Sequence, residues 1–205
     1  HWVKLWRGVV ATKWDIIVDL RASAIAWLLL ADKRYVLDTS NSADPVHRVI
    51  QLGNLLDLDP PPNPRVWLSR ETRAAGEELI PKGGFVLALG PTANWTGKQW
   101  PAENFAEAAL RLTAPGALFD GARIAVFGGA GEEHMAAPVL AALPAERTID
   151  LVGKIDVATA AAALIPCTFF IGNDSGLMHI ASSVGVPTLG LFGPSREEHY
   201  APWGM

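Results

Sequence analysis

The stretch that decides the fold runs Ile171-Gly172-Asn173-Asp174-Ser175-Gly176-Leu177-Met178-His179-Ile180-Ala181. Its apolar start predicts a buried strand, and the polar turn that follows leads directly into a helix. Ser175 is placed to cap this helix, at the positive end of the helix dipole. Gly176 lets a ligand approach the backbone closely, and His179 lies one turn further along. The stretch therefore predicts an anion site, most naturally for a diphosphate.

A plainer interpretation of the same stretch is available. Asp174 and Ser175 are residues expected in any capping turn, and His179 could be a satisfied core histidine. The combination of a glycine and a histidine with the capping turn favours the anion site.

The rest of the C-terminal half repeats the pattern of strand, loop and helix. Strands are predicted over residues 85–89, 123–127, 148–151, 168–171 and 188–192, and helices over residues 101–112, 132–143, 157–165 and 175–184. This alternation predicts an α/β fold, a doubly wound parallel sheet with helices on both faces. In such sheets ligands lie at the carboxyl ends of the strands, so the loops there carry the chemistry.

The N-terminal part predicts a second α/β domain. Strands are expected over residues 14–20 and 35–37, and helices over residues 23–31 and 45–56. Four prolines between residues 57 and 64 exclude a helix or a central strand there and mark a linker. We therefore expect a partial N-terminal domain over residues 1–80, including this linker, and a C-terminal domain over residues 81–205.

The loop at residues 90–101 is too elaborate for a simple connection. It offers short polar groups at Thr92, Asn94 and Thr96, and a cation at Lys98. A lysine here could neutralise charge on a departing phosphate group. Alternatively, Lys98 is a solvated surface lysine, which is the commoner case for a lysine in a loop.

A glycine-rich turn, Gly128-Gly129-Ala130-Gly131, precedes Glu132 and Glu133. The G-x-G-x-x-G dinucleotide pattern does not fit this segment. Either glutamate could favour the dipole of the following helix, and one could accept hydrogen bonds from a ribose.

Composition narrows the function classes. Of the 205 residues 50% are hydrophobic and 19% are charged, which is typical of an ordered globular protein. The formal charge of -4 argues against nucleic-acid binding, and the single cysteine, Cys167, fits a reducing compartment. We find no H-E-x-x-H motif, Cys/His cluster or acidic triplet that would predict a metal.

The stretch from Asp174 to Ala181, followed by Gly185-Val186-Pro187-Thr188 and Leu191-Phe192-Gly193-Pro194, closely resembles the signature of glycosyltransferase family 9. The loop at residues 91–101 and the segment Leu151-Val152-Gly153-Lys154 resemble that family in the same order. This resemblance implies a GT-B fold with two Rossmann-like domains, of which the first is incomplete here. It also implies a metal-independent inverting transferase that typically uses ADP-heptose and builds the core of lipopolysaccharide.

The resemblance also implies roles for individual residues. Lys98 and His179 would stabilise the leaving group, and Arg21 and Ser23 would face the acceptor. The donor would be surrounded by Thr92, Ala93, Asn94, Lys98, Glu132 or Glu133, Ile155, Asp174, Ser175, Gly176 and His179. No cofactor beyond the nucleotide sugar is implied.

Both ends of the chain look cut, and the resemblance places the general base before His1. It further implies a cytoplasmic enzyme, which a lipopolysaccharide acceptor would draw to the inner face of the inner membrane. Two alternatives stay open: a GT-B-type sugar-nucleotide epimerase, and a non-catalytic nucleotide-binding domain. A requirement for a lipid-linked acceptor would argue against the epimerase.

Overall fold

The computed structural model describes residues 1–38 and 45–204. The chain divides into two compact units, His1–Pro62 and Asn63–Met205. The boundary falls inside the proline-rich segment, which is earlier than the predicted start of the second domain at residue 81. Residues 63–80 belong with the second unit because helix α3 (Arg70–Glu78) packs against helix α6 (Val157–Leu164) of that unit.

The first unit is a small parallel α/β arrangement. Its elements in chain order are α1 (Trp2–Val9), β1 (Trp14–Asp19), a 3-10 turn (Ala24–Trp27), β2 (Ala31–Val36) and α2 (Arg48–Leu55). Strands β1 and β2 pair in parallel, with Trp14 opposite Ala31. The predicted helix over residues 23–31 was wrong beyond the single 3-10 turn, because residues from Ala31 onward pair with β1 instead.

The second unit is a doubly wound domain, as the alternating pattern predicted. Besides α3 and α6 it contains β3 (Val86–Gly90), α4 (Ala102–Leu112), β4 (Arg123–Val126), α5 (Glu133–Ala142), β5 (Thr148–Asp150), β6 (Phe169–Asn173), α7 (Gly176–Ser183), β7 (Thr188–Leu191) and α8 (Glu197–Tyr200). All pairings are parallel, in the order β5-β4-β3-β6-β7. Helices α3 and α8 are additions to what the sequence predicted.

The core of this unit has one layer on each face of the sheet. Along β3, Val86 and Ala88 belong to one buried cluster, while Leu87 and Leu89 belong to the other. Both faces are covered by helices, which is why β3 is a continuous apolar run and not an alternating one. Cys167 is buried in the first of these clusters, and burial raises the pKa of its thiol to about 12.

The order of the strands locates the ligand-binding edge. The chain moves outward from β3 to β4 and β5, then returns to the other side of β3 with β6 and β7. Strands β3 and β6 therefore flank the point where the winding reverses, and their ends meet with Gly90 opposite Gly172. In doubly wound folds the crevice at this point is where ligands bind. Loops 91–101 and 174–176 emerge side by side at that crevice.

Candidate functional site

A cavity of about 580 Å³ opens at the carboxyl ends of the strands in the second unit. It is lined by residues from the loops after β3, β4, β5 and β6 and from helices α6, α7 and α8. They are Thr92, Ala93, Asn94, Lys98, Gly128, Gly129, Glu132, Ile155, Asp156, Val157, Ala160, Asp174, Ser175, Gly176, Leu177, His179, Ile180 and Tyr200. All but one of the residues predicted to surround the donor are in this set. The exception is Glu133.

The start of helix α7 forms one wall of the cavity. Ser175 is the N-cap residue in an extended conformation, but its side chain makes no capping hydrogen bond. Its Oγ is buried and has no hydrogen-bond partner among the described residues. Since the Ser175 side chain does not cap them, the first amides of α7 remain available to an anion.

Lys98 and Asp174 form an ion pair across the cavity wall. The distance from Lys98 Nζ to Asp174 Oδ2 is 2.7 Å, and the two side chains are 25% and 5% exposed. A buried carboxylate next to an anion site would repel the ligand. Lys98 neutralises that charge. The ion pair also fixes the position of Lys98, the cation that the sequence predicted for this site.

Glu132 connects two of the loops. Its Oε2 accepts hydrogen bonds from the Thr92 hydroxyl at 2.6 Å and from the Gly129 amide at 2.7 Å. The glutamate thereby fixes the loops after β3 and β4 relative to each other.

Glu133 points elsewhere. Its Oε1 accepts a hydrogen bond from the Gly131 amide at 3.1 Å. Hydrogen bonds from the backbone amides of Glu133 itself and of Gly131 hold the pKa of this exposed carboxyl below its ordinary value. Of the two glutamates, only Glu132 faces the cavity.

One end of the cavity is largely apolar. Ile155, Val157 and Ala160 line it together with the polar Asp156. Asp156 is the N-cap residue of α6, and its carboxylate accepts a hydrogen bond from the Thr159 amide at 2.7 Å. This end fits the flat, apolar face of a base better than a charged group.

Several lining residues were missed by the sequence analysis. Leu177 and Ile180 lie on α7, and no role was predicted for either residue. Tyr200 belongs to α8, which follows the Gly193-Pro194 loop. That loop comes after a strand at the ligand-binding edge, so its position was the available signal.

Arg21 and Ser23, predicted for the acceptor side, lie in the first unit. The carboxylate of Asp19 accepts hydrogen bonds from the Arg21 amide at 2.8 Å, the Ser23 amide at 2.7 Å and the Ser23 hydroxyl at 2.6 Å. Partial burial raises the pKa of Asp19, but these hydrogen bonds outweigh it and leave the pKa lowered. Asp19 thus organises the turn after β1, and an acceptor role for Arg21 and Ser23 stays a prediction.

Comparison with known proteins decides the family. The model of glycosyltransferase family 9 (heptosyltransferase) matches residues 20–205. The chain belongs to glycosyltransferase family 9. Lipopolysaccharide heptosyltransferase 2 of Escherichia coli K12 is 32% identical over 209 residues, an alignment covering 96% of this chain and 55% of that protein. The chain spans about half the length of the curated relatives it matches.

Solved structures of the family share its fold. A family 9 glycosyl transferase from Veillonella parvula is 26% identical with a TM-score of 0.77, covering 98% of this chain and 64% of that one. A heptosyltransferase of E. coli solved with ADP is 17% identical with a TM-score of 0.67, covering 98% and 68%. The GT-B type of fold predicted from the family 9 resemblance is thereby confirmed.

Across residues 1–38 and 45–204, no helix is both long and apolar enough to cross a membrane. Within the same ranges, no group of three or more His, Cys, Asp or Glu side chains lies close enough to hold a metal ion.

Proposed function

We propose that this family 9 chain is the donor-binding part of a heptosyltransferase that moves heptose from ADP-heptose to a lipopolysaccharide-core acceptor. The observation that carries the proposal is the single cavity in which the helix α7 amides, Lys98 and His179 converge. The choice of heptose as the sugar and of a lipopolysaccharide core as the acceptor rests on the curated relatives, which are heptosyltransferase 2 proteins.

The donor has a natural orientation in this cavity. Its diphosphate would lie against Ser175, Gly176 and His179, and its ribose hydroxyls against Glu132. The adenine would occupy the apolar end beside Ile155. A heptosyltransferase of E. coli with the same fold was solved with ADP, which supports an adenine nucleotide as the ligand of this cavity.

The reaction would be a single displacement at the anomeric carbon. The acceptor hydroxyl oxygen forms a bond to that carbon from the face opposite the leaving group, so the configuration inverts. The bond from the anomeric carbon to the diphosphate oxygen breaks, and its electron pair stays on ADP. The hydroxyl proton passes to a general base, which we do not assign to any residue of this chain.

The protein would lower the barrier by stabilising ADP as it leaves. Lys98, His179 and the first amides of α7 place donors around the oxygen on which charge develops. Donors aimed at such charge typically contribute about 3 kcal/mol each. We propose that the enzyme acts in the cytoplasm, at the inner face of the membrane that holds its acceptor.

A transfer assay on the whole protein tests this function. ADP release from ADP-heptose should require a heptose-acceptor lipopolysaccharide core, and His179→Ala should lower the rate about 10²–10³-fold. His134, on α5, does not line the cavity, so His134→Ala should leave the rate unchanged. Acceptor-independent release, or a His179→Ala variant near the normal rate, would contradict the proposal.

A further inference from the structure

Asn173, the last residue of β6, joins the two ends of the neighbouring loop. It is fully buried. Its Oδ1 accepts a hydrogen bond from the Trp100 amide at 3.0 Å, and its Nδ2 donates one to the Pro91 carbonyl oxygen at 2.8 Å. Pro91 and Trp100 stand at opposite ends of the loop over residues 91–101, so one side chain closes this loop onto β6.

The loop that Asn173 closes carries much of the candidate site. Thr92, Ala93, Asn94 and Lys98 all lie between the two anchored positions and all line the cavity. Inside the loop, Gln99 Nε2 donates to the Ala93 carbonyl oxygen at 2.8 Å. The loop is therefore a fixed structure, and Asn173 attaches both of its ends to the sheet.

An amide is the side chain that this position requires. One partner is a donor and the other an acceptor, and both are backbone groups. An apolar side chain would leave both without a partner. An ionised carboxylate would accept from Trp100 but could not donate to the Pro91 carbonyl oxygen.

The next residue extends the same attachment to the lysine. Asp174 holds Lys98 through the 2.7 Å ion pair. Consecutive residues at the end of β6 thus hold the beginning, the end and the charged group of one loop. Neither Asn173 nor Trp100 lines the cavity, so Asn173 can act on a ligand only through the residues that it holds in place.

We propose that Asn173 is a positioning residue that sets the place of Lys98 against the donor diphosphate. This inference rests on the proposed function, because it takes a nucleoside diphosphate to be the ligand. Asn173 contributes no contact of its own to the donor. Asn173 affects binding by holding the loop over residues 91–101, because that loop determines the position of Lys98.

A double-mutant cycle on this chain tests the proposal. ADP affinity is measured by calorimetry for wild type, Asn173→Ala, Lys98→Ala and the double variant. Asn173→Ala should weaken ADP binding about tenfold, since small misplacements of a positioning group are costly. In the Lys98→Ala background the same change should weaken binding less than about threefold, because the two residues act as a unit.

Thr113→Val is the matched control. Thr113 is buried and its hydroxyl donates to the Ala109 carbonyl oxygen at 2.9 Å, remote from the cavity. This variant also loses a buried hydrogen bond and should lower the thermal stability, but it should leave ADP affinity unchanged. If Asn173→Ala only lowered the stability of the fold, it too would lower the thermal stability and leave ADP affinity unchanged.

Independent evidence comes from NMR exchange of the Trp100 amide. This amide should exchange slowly in wild type and fast in Asn173→Ala, whether or not ADP binds. If Asn173→Ala does not fold, Asn173→Asp keeps the acceptor for Trp100, so its Trp100 amide should stay slow. Its loss of ADP affinity should again be smaller in the Lys98→Ala background, whereas repulsion by the added carboxylate would be similar in both backgrounds.

The outcomes separate the two proposals. Equal losses of ADP affinity in both backgrounds, or unchanged affinity in Asn173→Asp, would overturn the positioning role. Fast exchange of the Trp100 amide in wild type would also overturn it. Absence of ADP binding by wild type, with a slow Trp100 amide, would count instead against the proposed function.

Discussion

At the scale of single residues, the site depends on an ion pair between a buried carboxylate and a lysine. Asp174 is almost completely buried, and Lys98 is the cation that pairs with it. The motif stretch predicted that Asp174, Ser175 and His179 would lie together, since all belong to one turn and the helix after it. It could not predict the Lys98–Asp174 contact, because that contact depends on which strands are neighbours.

Lys98→Ala should cost both stability and ligand affinity. Asp174 would keep a buried charge without its partner, and we expect a loss of about 2 kcal/mol, less than for a fully buried pair because Lys98 is partly solvated. Chemical denaturation and ADP calorimetry measure the two effects. Lys13→Ala is the matched control, since Lys13 and Asp32 also pair at 2.7 Å but are 69% and 56% exposed. If Lys13→Ala were as damaging as Lys98→Ala, the account of the buried pair would be wrong.

At the scale of elements, helix α3 shows where sequence reasoning failed. Its sequence, RETRAAGEE, is strongly polar, and Gly76 is its one buried residue. No apolar stripe therefore marks it as a packed helix. It packs through close approach of backbones instead: a Cβ added at Gly76 would lie 2.3 Å from the Ala162 Cβ and 2.7 Å from the Ala163 nitrogen.

Gly76→Ala should therefore destabilise the second unit. The contact with α6 would have to open, at a cost of about 1–3 kcal/mol. Thermal unfolding measures the change. Gly8 in α1 has nothing within 4 Å of an added Cβ, so Gly8→Ala should be neutral or stabilising by less than about 1 kcal/mol. A Gly76→Ala protein as stable as wild type would contradict the packing of α3 on α6.

Helix α6 begins at a cap whose contribution depends on pH. Hydrogen bonds from the backbone and side chain of Thr159 hold the pKa of Asp156 below its ordinary value of 3.8. Because the folded-state pKa is the lower one, the stabilisation is present above 3.8 and is lost as the pH falls through the folded-state pKa. Asp156→Asn keeps the cap but does not titrate there.

Thermal unfolding of Asp156→Asn and wild type over a range of pH tests whether the pKa of Asp156 is lowered in the folded protein. The variant should have the lower Tm at neutral pH, and the difference should shrink in acid well below the ordinary aspartate value. A difference that grew on acidification would show that the pKa of Asp156 is raised and not lowered.

At the scale of the whole molecule, the second unit was largely predictable and the first unit only in part, through β1 and α2. Strands β3 and β4 were predictable because both faces of the sheet are covered there, which makes these strands largely apolar. In the first unit, β2 begins at Ala31 and includes Asp32, Lys33 and Arg34. The predicted strand over residues 35–37 overlaps only the end of β2, because the charged residues disguise its first part, which pairs with β1. The choice of Glu132 over Glu133 likewise needed coordinates, because neighbouring residues of a turn point in different directions.

The central claim is that the cavity of the second unit binds a nucleoside diphosphate through the start of α7. The most direct measurement is calorimetric titration of this chain with ADP, UDP and GDP, beside His179→Ala and the control His134→Ala. We expect ADP to bind more tightly than UDP and GDP. His179→Ala should weaken ADP binding about tenfold or more, and His134→Ala should not. Equal binding by His179→Ala and wild type would contradict the claim, and no preference for ADP would contradict the assignment of an adenine nucleotide.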